Sequence, residues 1–271
     1  MKVKTTKNEV IEVNESNVNA ILRKYSYELG IDTIQKVVEQ YKDKVNWVYI
    51  SKYHKLTEEF IEKYINKVDW DYISRFQKLS ESFIEKYQNK VNWYYIGMDQ
   101  KLSEKFIEKY QDRLCWYYIS EYQELSESFI EKYYYKLDWR LVSMHQRLSE
   151  KLIEKYANKV DWDWICVCQK LSEEFIERHK DKVNWDNICI YQKLSEQFIE
   201  KYADKVDWSL ISEYQQLSEE FILKHIDKID PEALANNEYL KSKIRQEIVQ
   251  ELIERYPKYK ELLTKLLTKE G

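Results

Sequence analysis

Histidines, cysteines and closely spaced carboxylates are the side chains best able to do chemistry, and here their placement argues against a reaction. The four histidines, His54, His145, His179 and His225, form no motif. His179 and His225 stand where other copies of a repeated unit carry a core Tyr, His54 stands where they carry Gln, and His145 replaces an outward aromatic. Cys115, Cys166, Cys168 and Cys189 make no C-x-x-C pair and no metal-ligand spacing, so they read as reduced thiols. Cys166 and Cys189 replace a recurring Ser, which points to small packing residues. Glu81 and Glu85, or Glu104 and Glu108, have a spacing suited to acid–base work, yet the pairs recur in unit after unit beside Lys86 and Lys109. Such a lattice reads as a solvated face. No catalytic residue, metal site or cofactor is expected, and the chain is read as a nonenzyme.

The elements that position these residues follow from self-similarity. Trp47, Trp70, Trp93, Trp116, Trp139, Trp162, Trp185 and Trp208 stand 23 residues apart, as do the leucines from Leu56 to Leu217. The shared unit reads L-S-E-x-F-I-E-K-Y-x-D/N-K-V-D/N-W-x-x-I-S-x-Y-Q-K. A degenerate copy fills residues 33–55, and a last copy starts at Leu217 and decays after Asp230. The 271 residues include only 3 Gly and 2 Pro, too few for a β-rich fold or a glycine-rich phosphate loop. Each unit carries two helix starts of one design: apolar residue, capping side chain, apolar residue four places on. Leu79, Ser80, Ile84 is the first, and Val68, Asp69, Ile73 the second.

On a helical wheel the first helix gathers Phe83, Ile84, Tyr87 and Val91 on one side. The second gathers Trp70, Ile73, Ser74 and Gln77. Helices of about eight or nine residues, roughly 12–14 Å long, are marginal alone, so stacking must hold them. The expected fold is all-α: an α-solenoid of about nine two-helix repeats, with an N-terminal segment and capping helix over 1–32, the array over 33–237, and capping helices over 238–271. Ser16 is expected to cap a helix reaching about Leu29, with Gly30 as its stop. Pro231 behind Asp230 fits a helix start, and residues 238–256 read as one longer amphipathic helix broken by Pro257. A last segment, Tyr259 to Lys269, closes the stack through Leu262, Leu263, Leu266 and Leu267. The recurring Gln on the buried stripe, Gln77 to Gln215, predicts a hydrogen-bonded ladder between units.

Because one unit is copied many times, the copies can be compared with each other. The first helix is nearly constant. In the second helix the two residues after Trp and the two after Ser vary, and across the middle of the chain they are rich in Tyr, Trp, Met and Arg, types enriched in interface hot spots. The candidate partner-binding residues are Tyr72, Arg75, Tyr94, Tyr95, Met98, Tyr117, Tyr118, Arg140, Met144, His145 and Trp164. The partner expected is a protein or peptide, bound by a monomeric scaffold. The alternative is nucleic acid, with bases stacked on the aromatics and phosphates on a ridge formed by Lys67, Lys90, Arg113, Lys136, Lys159, Lys182 and Lys205. A structural spacer or self-assembling element is the third reading.

The formal net charge of −4 offers no global attraction to nucleic acid or an anionic membrane. No apolar run spans a bilayer and the first residues lack a signal-peptide core, so a cytoplasmic protein with no membrane contact is expected. Units such as LSEEFIERHKDKVNWDNICIYQK resemble tandem repeats of uncharacterised proteins in bacteria, phages and large DNA viruses. The resemblance covers about residues 33–230. It implies a repeat array and no reaction.

Overall fold

The computed structural model describes residues 1–241 and 243–267. Two compact units divide the chain between Leu137 and Asp138. Both are runs of the same two-helix repeat, so the fold is the expected helical-repeat solenoid. In the first unit the first helices are Glu58–Lys63, Glu81–Lys86, Glu104–Lys109 and Glu127–Lys132, and the second helices are Trp47–Tyr53, Trp70–Phe76, Trp93–Asp99 and Trp116–Tyr122. The second unit has first helices Glu150–Lys155, Glu173–Arg178, Glu196–Lys201 and Glu219–Lys224, and second helices Trp139–His145, Trp162–Cys168, Trp185–Tyr191 and Trp208–Tyr214. The helices have six and seven residues, shorter than expected. The reason is the residue that ends each first helix, a Tyr except for His179 and His225. Tyr87 adopts φ −109° and ψ 28°, and the N–H groups of Lys90 and Val91 fold back onto its carbonyl at 2.8 and 3.1 Å. This four-residue turn never enters the left-handed region, which explains how so many turns manage without glycine.

The predicted caps form. Ser80 Oγ accepts from the Phe83 N–H at 3.2 Å, and Asp69 Oδ1 accepts from Asp71 and Tyr72 at 3.1 and 3.2 Å. Ile73, Phe83, Ile84 and Val91 are buried, while Tyr87 is half-buried. Within each unit, consecutive second helices pack directly on one another. The recurring Trp is half-buried rather than buried, because its indole Nε1 donates to the carbonyl five residues back, as from Trp116 to Gln111 at 3.1 Å. Its ring face meets the next first helix, with Trp116 stacked on Phe129 at 6.2 Å and tilted on Tyr133 at 5.1 Å. Because its indole is only half-buried, Trp116→Ala should cost about 3 kcal/mol.

The ends depart from the sequence expectation. Residues Lys2–Lys4 and Val10–Glu12 form an antiparallel hairpin in register Val3 to Ile11, which the sequence reading did not anticipate. Asn8 turns it at φ 67°. The first helix is only Val18–Lys24, and Ser16 does not cap it: Ser16 donates its own N–H to Asn14 Oδ1 at 3.0 Å. Gly30 does not stop it either, since it has φ −65° and begins the helix Ile31–Gln40. At the other end Asp230 caps the helix Pro231–Ala235 as expected, with Pro231 in its first turn. Residues 238–256 are not one helix. Asn237 Oδ1 accepts from the Tyr239 and Leu240 N–H groups at 2.9 and 3.3 Å, an Asx turn that outcompetes helix, and the helix is Gln246–Arg255. Leu263 and Leu266 are buried as predicted, while residues 268 and 269 of the expected closing segment lie outside the described residues.

Candidate functional site

The buried polar residues are occupied in holding the stack. Gln100 Nε2 donates to Ser74 O and Gln77 O, both at 2.8 Å, and its Oε1 accepts from the Leu79 N–H at 3.0 Å. Gln192 repeats this with Cys166 O at 2.7 Å, Gln169 O at 2.8 Å and the Leu171 N–H at 3.0 Å. Asn237 ends the ladder, donating to Ser212 O and Gln215 O. The Ser after Ile links neighbours too: Ser74 Oγ donates to Trp70 O and accepts from the Asn92 N–H at 2.8 Å. Where Cys replaces that Ser, burial pushes the thiols of Cys166 and Cys189 up to about 11, leaving them protonated and unreactive at neutral pH.

The carboxylates are likewise structural, and half of them are less solvated than expected. The Glu that opens each first helix is half-buried and accepts the backbone N–H of the next unit's cap, as Glu58 Oε1 does from Ser80 at 2.5 Å and Glu104 Oε1 from Ser126 at 2.6 Å. The second Glu pairs with the Lys 24 residues on, as Glu62 does with Lys86 at 2.7 Å and Glu200 with Lys224 at 2.7 Å. That pairing holds the carboxyls of Glu62, Glu85 and Glu177 below the usual carboxylate range, chiefly through the lysine hydrogen bond.

The histidines are packing residues in three cases. His179 lies 4.5 Å from Phe175 and 5.0 Å from Trp162, and His225 occupies the same place beside Phe221 and Trp208. His54 is buried at the first Gln position with neither ring nitrogen hydrogen-bonded, and burial pushes it down to about 4. A glutamine there would look back to Glu28 O, but the Thr6 N–H of the hairpin already takes that carbonyl at 2.7 Å. His145 is exposed.

The variable residues of the first unit come together as a continuous strip on the second helices. Arg23 lies over Tyr49 at 5.2 Å, and Tyr49 packs on Tyr53 at 4.6 Å. Lys52 reaches from Tyr53 at 4.8 Å to Tyr72 on the next helix at 5.4 Å. Arg75 repeats the step, lying 5.0 Å over Phe76 and 5.3 Å over Tyr95, with its Nε 3.8 Å from Asp99. Tyr94 meets Tyr95 edge-on at 5.2 Å and Tyr118 at 4.7 Å, where the two hydroxyls are hydrogen-bonded. That bond pushes the Tyr118 phenol up to about 12. Tyr117, half exposed, lies edge-on to Tyr118, and Met98 is half-buried beside Tyr122. In the second unit Arg140 and His145 are exposed, while Met144 and Trp164 are half-buried. Among the described residues no ring contact or ion pair joins these four. Leu141, one of the variable positions, is buried.

Sequence reasoning missed an exposed aromatic row in the second unit: Tyr191, Tyr214 and Tyr239, each between a third and three-fifths exposed. Tyr191 and Tyr214 were legible, since they keep the 23-residue spacing of the helix-ending position that carries Tyr53, Phe76 and Tyr122. Tyr239 lies past the decay of the motif. Most of the basic ridge is also engaged. Arg113, Lys136, Lys182 and Lys205 lie 5.0 to 6.0 Å over Trp93, Trp116, Trp162 and Trp185, and Lys67 is paired with Asp43. Among the described residues no group of three or more His, Cys, Asp or Glu could hold a metal ion, and no helix is long and apolar enough to cross a membrane. No family model matches this chain, and no curated protein or solved structure matches it either.

Proposed function

We propose that the protein is a noncatalytic scaffold that binds a protein or peptide along the outer face of its second helices. The observation that carries this reading is the strip from Arg23 to Tyr122. Its aromatic and cationic side chains are exposed or half-buried, and Lys52, Arg75 and Tyr94 each bridge to the next helix, so the strip is held in place before any partner arrives. Pre-ordered Tyr and Arg offer large contact area with little entropy left to lose, the economy expected of interface anchors. Most of the other recurrent polar groups, the ladder Gln, the capping Ser and the Glu–Lys pairs, are engaged in stacking, which supports a noncatalytic reading. The engagement of the Lys and Arg ridge on indoles weighs against phosphate recognition there.

The test is a pull-down from native lysate, divided into nuclease-treated and untreated halves, followed by the serine variant of Tyr95, Tyr118 and Trp164. A stoichiometric protein that survives nuclease and is lost from the variant is the expected result. A partner that binds the variant as tightly as the parent chain refutes the face. Recovery that vanishes with nuclease refutes the choice of protein over nucleic acid.

A further inference from the structure

One row of cations stands apart from the others. The lysines that close the first helices are paired with Glu, and several ridge cations lie on Trp. The residue after the ladder Gln is different: in the second unit it is Arg147, Lys170 and Lys193, then the neutral Gln216, and the three cations are exposed at one-repeat intervals with no ion pair or hydrogen bond engaging them among the described residues. Lys193 lines a cleft of about 280 Å³ with Ile190, Tyr191, Tyr214 and Tyr239, and no carboxylate lines it. The matching cleft of the first unit contains Asp99 and Glu124, and Glu124 lies 3.8 Å from the Lys101 that corresponds to Lys193. There the charge of Lys101 is cancelled. In the second unit Lys193 is left open beside three exposed tyrosines, and Lys170 and Arg147 continue the row one and two repeats before it.

We infer that the second unit binds an extended, proline-rich acidic peptide, its carboxylates on Arg147, Lys170 and Lys193 and its prolines against Tyr191, Tyr214 and Tyr239. This rests on the scaffold reading and names the partner class. The spacing supports it. Packed helices lie roughly 8–10 Å apart, and three residues of polyproline II advance about 9.3 Å. A carboxylate at every third residue thus meets one cation per repeat. Tyrosine-lined grooves suit such a peptide, because its preformed backbone leaves carbonyls free for the hydroxyls. A nucleic acid strand fits less well. Its charge falls on every nucleotide, whereas the row offers cations only at Arg147, Lys170 and Lys193 and the neutral Gln216 beyond them.

The probe is a fluorescein-labelled peptide of four Pro-Pro-Glu triplets, titrated with the full chain at low salt and followed by anisotropy. Saturable binding is expected, weakened at least ~10-fold by Lys170→Glu with Lys193→Glu, and similarly by Tyr191→Ser with Tyr214→Ser. All four residues are at the surface, and an unchanged melting curve checks the fold of each variant. A peptide with Lys in place of Glu should bind ~10-fold more weakly or not at all. No saturable binding by the folded chain, or binding indifferent to both double variants, overturns the inference. So does a twelve-nucleotide oligo(dT) that binds tighter and displaces the peptide. The serine variant of Tyr95, Tyr118 and Trp164 should still bind the peptide. A lysate partner lost from that variant but kept by the Lys170 and Lys193 variant would leave the scaffold standing and refute this cleft.

Discussion

Replacing Gln192 by Leu should cut the stack at one place. Leucine fills nearly the same space, so the change tests hydrogen bonding and not packing. It removes three bonds, to Cys166 O, Gln169 O and from the Leu171 N–H, at a site only 6% exposed. Three lost bonds at about 1 kcal/mol each, together with the desolvation left on an orphaned N–H and two carbonyls, give about 3–5 kcal/mol, offset in part by the added apolar burial. Because a repeat array is stabilised by nearest neighbours, the damage should stay local. The assay is native-state hydrogen exchange with urea unfolding as a check. The Leu171 amide should exchange at least ~100-fold faster, since 1.4 kcal/mol corresponds to a factor of ten. The Leu79 amide, bonded to Gln100 in the first unit, should change far less. A Leu171 rate within about fivefold of the parent, with no shift in urea midpoint, would refute the claim that the ladder holds the repeats.

Other perturbations follow from single departures in the repeat. Gly97 stands in the linking Ser position and Cys115 in the capping position without a cap bond, and a Cβ at 97 would meet Leu114 at 3.4 Å, an ordinary contact. Gly97→Ser with Cys115→Asp should therefore raise stability by about 1–2 kcal/mol in urea unfolding, and no gain would count against the register. Buried His54 is held near 4 against an ordinary 6.5, so stability should be intact above about pH 6.5, fall as the unfolded chain takes up a proton, and level off below about 4. The loss is on the order of 2–3 kcal/mol, and the chain with His54→Gln should lack that component in melts from pH 7.5 to 4.5. In native protein at pH 8 a thiol reagent should label Cys115 and Cys168 and reach Cys166 and Cys189 only after denaturation; labelling of all four at similar rates would contradict the packing.

The repeat, its two helices and the buried stripe were legible because their signals are local. A cap, a staple and a Trp repeated at fixed spacing act within one or two turns, and each recurs often enough to average out exceptions such as Cys115. The same locality explains the failures at the ends. The Asx turn at Asn237 competes with a helix that the apolar pattern over 238–256 suggested equally well, and the hairpin around Asn8 is held by its contact to Glu28, outside any local pattern. Part of the candidate site was legible in the same way: Tyr72, Arg75, Tyr94, Tyr95 and Tyr118 were chosen for their variability and do form one strip. The exposed row through Tyr191 and Tyr214 was passed over because Tyr is the commonest residue at that place in the unit, and only exposure distinguishes a recurrent surface tyrosine from a core one.

By itself the sequence determined the 23-residue period, the helical class, the capping residues and the side of each helix that must be buried, since all of these depend on residues within reach of one another along the chain. Only the tertiary structure decided which polar groups are consumed in stacking. Gln192 finds its partners 21 to 26 residues back, the first Glu of a helix caps the unit 22 residues on, and Lys136 lies over Trp116, all distances set by the stacking register. Identical lysines thus end in different states, paired, laid on an indole, or free beside the tyrosines, because the register carries each row to a different neighbour.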